Sequence, residues 1–155
     1  MAGRRSQITM SAEEQYSYIE SQKILNVATI GPTGHPHLVA MWYAHVDGEL
    51  TFWTFAKSQK IVNLRRDPKM TGLIESGESY NELKGVELIG TGEIVDDYEK
   101  VLAIGKAVAV RYNGPAALRD AALPFIEAQA HKRLGVVFRI ERTVTWDHTK
   151  LSGGY

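Results

Sequence analysis

The sequence predicts a mostly β protein: an antiparallel barrel of about six strands, closed or split, with a few short helices. First, apolar segments rich in β-branched side chains are separated by turn signals at 31–34 and 47–48. Second, helical periodicity is confined to short stretches that do not alternate regularly with strands, which disfavours a doubly wound parallel sheet. Third, 155 residues suffice for one domain with its own core, so we expect a loose tail over 1–10 and a single domain over 11–155.

The first half of the chain carries a helix start, a turn and a hairpin signal. Ser11 and Glu14 have the spacing of a capping box, in which each side chain binds a backbone N–H of the other residue. Pro32, flanked by glycines, predicts a turn. The pair Asp47-Gly48 predicts a two-residue hairpin. The elements predicted here are a helix over 11–22 and strands over 24–30, 36–45 and 49–54.

In the second half, the spacing of the apolar residues alternates between the period of a helix and the period of a strand. Ile61 and Leu64 lie three residues apart in a short helix that Pro68 ends, and Pro124 is expected to break a later helical stretch. The elements predicted here are helices over 58–66, 96–112 and 115–130 and strands over 69–76, 84–95 and 132–146. The side chains expected to face inward from the last strand are Val136, Phe138, Ile140 and either Thr143 or Val144.

Composition excludes several classes of function. The 18 basic and 18 acidic residues give a formal net charge of zero, which disfavours binding to nucleic acid. The absence of cysteine excludes disulfides, thiolate metal sites and a cysteine nucleophile. No apolar run is long enough to span a membrane. The twin arginines at Arg4 and Arg5 are followed by a polar segment and not by the apolar stretch that a twin-arginine export signal needs. We therefore expect a cytoplasmic protein with no membrane span.

The most informative segment is a local cluster of positive charge. Five basic side chains and one acidic side chain fall within residues 57–69. Ser58 stands where a helix should begin, so unpaired backbone N–H groups and the positive end of the helix dipole point outward there. Lys57 and Lys60 lie three residues apart and could flank one phosphate. The alternative is a solvated basic helix that binds nothing.

Other candidate residues carry weaker signals. His35 and His37 face the same side of a strand, but no third ligand lies at a suitable spacing, so we expect no metal site. Phe55, beside the basic helix start, is suited to line a slot for a planar ring, and Trp146 is expected near a site or an interface, unless both serve only packing. No acid–base or nucleophile motif is present, so an enzymatic role would need a cofactor.

The segments GPTGHPHLVAMWY, LTFWTFAKSQKIVNLRRDPK and SYNELKGVELIGTGEIVDD, in this order, resemble the pyridoxamine 5′-phosphate oxidase-like flavin-binding split-barrel superfamily. The likeness covers about residues 13–112 and, more weakly, the last strand. The stretches at 60–68 and 80–87 look most like the actinobacterial branch that uses the deazaflavin coenzyme F420. The resemblance implies a six-stranded antiparallel split barrel of Greek-key type, forming a homodimer with two cofactor sites at the subunit interface.

The resemblance also implies which residues hold the cofactor. Ser58 and Lys60 fall on the family's S-R-K phosphate motif, where Gln59 replaces the arginine and Lys57 is expected to supply the missing charge. The ring would lie against the second strand and the end of the third, and the last strand would contribute across the dimer. The cofactor-binding residues expected on this basis are Val39, Ala40, Met41, Trp42, Thr54, Phe55, Lys57, Ser58, Gln59, Lys60, Arg65 and Trp146.

One departure from the family pattern bears on the activity. Pyridoxamine-phosphate oxidases carry R-x-V-L-L-K in the second strand, whereas residues 37–42 here read HLVAMW. Losing both basic residues disfavours flavin mononucleotide (FMN) and favours the deazaflavin, whose phosphate and oligoglutamate tail would run along Lys57, Lys60, Arg65 and Arg66. The expected function is hydride transfer from reduced F420 to a small unsaturated organic substrate. The alternatives are an FMN-dependent oxidase or reductase and a non-catalytic protein that binds a flavin or haem.

Overall fold

The fold is described by a computed structural model covering residues 3–151, which form seven β-strands and five α-helices. The strands are β1 (Leu25–Ile30), β2 (Pro36–Met41), β3 (Ala44–Val46), β4 (Glu49–Phe55), β5 (Lys69–Ser76), β6 (Lys84–Val95) and β7 (Arg133–Asp147). The α-helices are α1 (Arg4–Gln7), α2 (Ala12–Ser21), α3 (Gln59–Arg66), α4 (Tyr98–Asn113) and α5 (Ala122–Ala130). Short 3-10 turns span Tyr80–Glu82, Pro115–Leu118 and His148–Lys150.

All the strands form one antiparallel sheet in the order β2-β1-β5-β6-β7-β4-β3. The two edge strands, β2 and β3, are separated in the chain only by Trp42 and Tyr43. Because so short a link cannot cross a flat sheet, the sheet must curl until its edges come together at this corner. The predicted mostly β antiparallel class is therefore confirmed as a curled sheet with short helices.

The number of strands differs from the expected six because the predicted strand over 36–45 is two strands. The backbone N–H of Tyr43 donates to the hydroxyl of Tyr112 on α4 at 3.0 Å, which takes this amide out of the strand ladder. The Tyr43 side chain is fully buried, and its hydroxyl donates to the carbonyls of Ile19 and Gln22 at 2.6 and 2.8 Å. The chain is thus anchored at Tyr43, with β2 pairing with β1 before it and β3 with β4 after it.

The core fills the concave side of the curled sheet, and a smaller apolar layer covers the other side of β4. The largest fully buried side chains of the core include Tyr43, Phe52, Phe138, Leu25, Ile61 and Met70. Strand alternation points Phe52 into this core and Trp53 to the opposite side, where it packs against α4 and α5. Helix α4 therefore holds its apolar stripe against the outside of β4.

Several local predictions are confirmed. The capping box is present, with Ser11 N–H donating to the Glu14 carboxylate at 2.7 Å and Glu14 N–H donating to the Ser11 hydroxyl at 3.2 Å. Asp47 and Gly48 have φ values of 51° and 79°, as a tight hairpin turn with two positive φ angles requires. The boundaries of β5 and β6 are those predicted.

The predicted inward face of the last strand is correct only as far as Phe138. Ile140 is 42% exposed, and Thr145, not Thr143 or Val144, is buried. The cause is a bulge: Ile89 pairs with Arg142 and Gly90 with Ile140, so Glu141 is an extra residue that reverses the alternation. A side chain at Gly90 would lie 1.9 Å from the Arg139 carbonyl oxygen.

The helical stretch after residue 115 breaks earlier than predicted. The interruption lies at 119–121, where Asp120 has a φ of 51°, and Pro124 sits in the first turn of α5, where a missing N–H costs nothing. The helix predicted over 96–112 begins at Tyr98, because Asp97 caps it by accepting from the Lys100 N–H at 3.0 Å.

The end of the segment expected as a loose tail contacts the body of the protein. Met10 is buried, and its N–H donates to the Thr145 hydroxyl at 2.9 Å, while the Asp147 N–H donates to the Ile8 carbonyl at 2.7 Å. The outer ends of the expected tail and domain, residues 1–2 and 152–155, lie outside the described residues. Within residues 3–151, no helix has the length and apolar character needed to cross a bilayer.

Candidate cofactor site

A cavity of about 640 Å³ lies between the corner that ends β2, the outer face of β4 and helices α4 and α5. Apart from the charge of Arg133 and the amide of Asn113, its lining is apolar or aromatic. The lining residues are Ala40, Met41, Trp42, Trp53, Gly105, Val108, Ala109, Asn113, Ala117, Ala122, Phe125, Ile126 and Arg133. The volume and lining suit a planar organic ring system.

The indole rings of the cavity are held by their neighbours. A Cβ at Gly105 would lie 2.4 Å from Trp53 Cζ3, so only glycine at this position of α4 lets the indole lie against the helix. Trp42 stacks on Tyr112 with ring centroids 4.3 Å apart and planes at 10°. Both indoles therefore have defined orientations in the cavity wall.

A buried lysine in the first turn of α3 lies against the end of β4, the strand whose outer face forms one wall of the cavity. Lys60 is only 9% exposed, and its Nζ donates to Thr54 Oγ1 at 2.9 Å. Thr54 Oγ1 in turn donates to Ser58 Oγ at 3.3 Å. No carboxylate of residues 3–151 forms an ion pair with Lys60. Burial, and secondarily the positive charge of Arg133, lowers the pKa of Lys60 from its usual 10.5.

The start of α3 adds backbone donors at the same place. The first N–H groups to bond back to the Ser58 carbonyl are those of Ile61 and Val62, at 3.1 and 3.2 Å. The N–H groups of Gln59 and Lys60 precede them and have no acceptor within the helix. The Ser58 side chain does not cap the helix. Lys60, Ser58 and two backbone N–H groups thus converge on one small volume, which we call the α3 corner.

Arg133, which the sequence did not predict as a site residue, lines the cavity and contacts the aromatic side chains at the end of β4. It pairs with Phe55 across β4 and β7, and its Cζ lies 4.1 Å from the ring centroid of Phe55 and 4.8 Å from that of Trp53. Its Nε is buried without a hydrogen-bond partner, and burial lowers its pKa. No sequence spacing relates residue 133 to residues 53 and 55, so only knowledge of the β4–β7 register would have found it.

The structure brings together some of the predicted residues and separates others. Ala40, Met41 and Trp42 line the cavity, and Thr54, Ser58 and Lys60 form the α3 corner with Phe55 beside them. Val39 packs on the core, Gln59 donates to Asn63 within α3 at 2.8 Å, and Lys57 and Arg65 are exposed. Trp146 covers Gly85 near the far end of β7, away from Arg133 at its start.

A curled antiparallel sheet whose edge strands meet at one corner is the architecture of a split barrel. A family profile described as pyridoxamine 5′-phosphate oxidase matches residues 11–147, and the chain therefore belongs to this family. The resemblance expected from the sequence is thus confirmed. A comparison with curated protein sequences gave no match.

Solved structures similar to the chain include one close relative and two more distant ones. The conserved hypothetical protein Rv2991 from Mycobacterium tuberculosis is 43% identical, with a TM-score of 0.88 over 99% of this chain and 98% of that one. A structure named F420 reductase is 27% identical, with a TM-score of 0.62 over 82% of this chain and 93% of that one. The haem storage protein HutZ from Vibrio cholerae is 14% identical, with a TM-score of 0.65 over 88% of this chain and 94% of that one. At this identity the likeness shows a common fold and nothing more.

Proposed function

We propose that the protein is an oxidoreductase that uses the deazaflavin coenzyme F420 and transfers a hydride from the reduced cofactor to an unsaturated organic acceptor. The observation that carries this proposal is the buried ammonium group of Lys60, which has a neutral hydroxyl as its hydrogen-bond acceptor and lies beside a large aromatic cavity. Together, the cation and the cavity match a ligand with an anionic end and a planar ring.

The α3 corner fits a phosphate group. A buried charge is costly unless an opposite charge or several hydrogen bonds compensate it, and Lys60 has no acidic partner among the described residues. A phosphate here would accept from Lys60 Nζ, from the Ser58 hydroxyl and from the first N–H groups of α3, at the positive end of the helix. The side chains and the backbone therefore favour the same anion.

The corner at the end of β2 fits the polar edge of a flavin-type ring. Because β2 is an edge strand that pairs only with β1, alternate residues direct their N–H and C=O groups away from the sheet. Ala40 and Met41 place this free edge at the cavity wall. The backbone would bind the pyrimidine edge of the ring while Trp42 and Trp53 contact its apolar faces and rim.

When bound and reduced, the deazaflavin supplies a hydride to the acceptor, and the reduction is completed by one proton. The lining residues of the cavity include no carboxyl or imidazole group, so we propose that the proton comes from solvent. The protein would then act by position: Lys60 and Ser58 hold the phosphate, the β2 edge fixes the ring, and Phe125 and Ile126 of α5 exclude water from the opposite side.

Two features favour the deazaflavin over FMN. Residues 37–42 lack the arginine and lysine that the family places on FMN, and Lys57 and Arg65 are exposed near the α3 corner, where they suit the acidic tail of F420. The likeness to a structure named F420 reductase supports the same choice. The second candidate is an FMN-dependent oxidase or reductase, which the α3 corner favours equally because FMN also carries a phosphate.

We also propose that the protein is a homodimer with cofactor sites at the subunit interface. The convex face of β1, β5 and β6 carries an apolar groove of about 580 Å³ that includes Ile30 and Ile89. On the neighbouring strands, Leu38 is 66% exposed and Ile140 is 42% exposed, and we propose that this apolar surface contacts the partner subunit. In such a dimer, Trp146 would reach the site of the partner subunit.

The experiment that tests the proposed activity follows the reoxidation of chemically reduced F420 by absorbance, with and without a panel of electron-poor unsaturated acceptors. We expect reoxidation that depends on both protein and acceptor, and a loss of rate in Lys60→Met at limiting cofactor. The control is Lys132→Gln, which removes an exposed charge from a residue with no assigned role in binding. Tight cofactor binding without reoxidation by any acceptor would contradict an enzymatic role and favour a carrier.

A further inference from the structure

Arg133 lines the cavity at the end of β4 that leads into the α3 corner. As the first residue of β7 it lies directly opposite Phe55, the last residue of β4, and diagonal to Trp53 on the same face. Its guanidinium is 4.1 Å from the Phe55 ring and 4.8 Å from the Trp53 ring, and the residue lines the cavity. Contact with two rings restricts where the guanidinium can lie and favours its charged form.

The contacts of Arg133 leave its hydrogen-bonding edge unused. Ring faces compensate the positive charge but accept no strong hydrogen bond from an N–H group. The Nε of Arg133 is buried and has no partner, and no acidic residue within 3–151 forms an ion pair with its guanidinium. Arg133 lies opposite Phe55, the residue that follows Thr54, and Thr54 holds the Lys60 ammonium. The positive charge of Arg133 contributes to lowering the pKa of Lys60, as two neighbouring cations without an acidic partner would.

We propose that Arg133 is the second cation of the phosphate site and binds the phosphate of the ring cofactor together with Lys60. This inference rests on the proposed function, in that it requires a ligand with a planar ring and a phosphate. It replaces the sequence-based expectation that Lys57 supplies the charge lost at Gln59, because Lys57 is exposed and Gln59 is bonded to Asn63. A planar fork held against two aromatic side chains also suits phosphate better than a flexible surface lysine.

The test compares ligands that differ only in the phosphate. Arg133→Gln and the matched control Lys132→Gln, which removes an exposed charge from the adjacent residue, are titrated with FMN and riboflavin, and with F420 and its phosphate-free deazaflavin, by fluorescence. We expect Arg133→Gln to weaken the binding of the phosphorylated ligands by about 10-fold to 100-fold and the phosphate-free ligands by less than about threefold. Lys132→Gln should change neither.

Three results would overturn the inference. Equal losses for phosphorylated and phosphate-free ligands in Arg133→Gln would mean that Arg133 only shapes the ring cavity. Unchanged binding in Arg133→Gln, with the wild-type protein binding phosphorylated ligands, would refute the role of Arg133 while the proposed function stands. A wild-type protein that binds none of the phosphorylated ligands would refute both.

Folding of the variant is checked by thermal melting. If Arg133→Gln is unfolded, Arg133→Lys, which keeps the charge but not the planar fork, is titrated in its place. A selective loss for the phosphorylated ligands in Arg133→Lys supports the inference, and full affinity for them contradicts the need for a guanidinium.

Discussion

Replacing Lys60 with methionine separates the contribution of this lysine to binding from its contribution to folding. Methionine is close to lysine in length and is apolar, so the substitution removes the buried ammonium with little change in volume. In the structure, the ammonium has one hydrogen bond, to Thr54 Oγ1 at 2.9 Å, and no acidic partner within residues 3–151. We expect stability to change little and phosphate binding to fall strongly.

In Lys60→Met, two opposing contributions determine the change in the free energy of unfolding, and one lost contact determines the change in Kd. Removing a buried polar group relieves a cost of about 1–3 kcal/mol. Losing its hydrogen bond removes a gain of about 1.5–3 kcal/mol, so the free energy of unfolding should stay within about 1 kcal/mol of the wild-type value. The affinity for a phosphorylated ring cofactor loses a charge-assisted contact worth about 1.5–3 kcal/mol, which is about 10-fold to 100-fold in Kd.

Thermal melting and fluorescence titration of Lys60→Met measure the two quantities on the same preparation. The melting temperature should stay within about 4 °C of wild type. The control Lys132→Gln removes an exposed charge from a residue with no assigned role in binding and should change Kd by no more than about twofold. A loss of more than about 3 kcal/mol of stability in Lys60→Met would show that the lysine is already paired in the folded protein, and an unchanged Kd would refute its role in phosphate binding.

Three further predictions concern the same region and its support. Burial lowers the pKa of Lys60 below 10.5, and phosphate binds the charged form of the lysine. The Kd for a phosphorylated ligand should therefore rise with alkaline pH at a lower pH than exposed lysines titrate. Lys60→Met, titrated across the same pH series, should lack this rise. Gly105→Ala places a Cβ 2.4 Å from Trp53, so it should cost about 1–3 kcal/mol in a denaturant melt and weaken ring binding, whereas Ala103→Ser on the exposed side of α4 should do neither. Burial raises the pKa of Tyr43 to about 12. The hydroxyl therefore stabilises the fold fully below the unfolded-state pKa of 10.0, and this contribution is lost as pH rises towards 12. Tyr43→Phe should cost about 1–2 kcal/mol of stability at neutral pH and should remove one late tyrosinate transition from an ultraviolet titration.

The elements that sequence predicted well are those decided by neighbouring residues. The capping box at Ser11 and Glu14 and the hairpin at Asp47-Gly48 each depend on at most four consecutive residues. In contrast, the split of the predicted strand over 36–45 depends on a bond from the Tyr43 N–H to Tyr112, 69 residues later. A contact at that separation leaves no local pattern, which is why six strands were expected where the sheet has seven.

The candidate site likewise contains some residues that could be predicted from the sequence and others that could not. Ser58 and Lys60 were predicted from their place at a helix start and from a family resemblance, and the structure brings them together with Thr54. Arg133 was missed because its partners Phe55 and Trp53 lie on another strand, in a register that the sequence does not specify. The inward face of β7 beyond Phe138 was predicted incorrectly, because the extra residue Glu141 changes the side of every residue after it.

The central claim is that this chain binds a phosphorylated deazaflavin by its ring and its phosphate. The most direct measurement is a parallel fluorescence titration of the purified, cofactor-free protein with F420 and with FMN. We predict micromolar or tighter binding of F420 and binding of FMN that is at least about tenfold weaker, since the basic residues that the family places on FMN are absent from residues 37–42. Tighter binding of FMN would assign the protein to the flavin-dependent members of the family, and binding of neither ligand would contradict the proposed function.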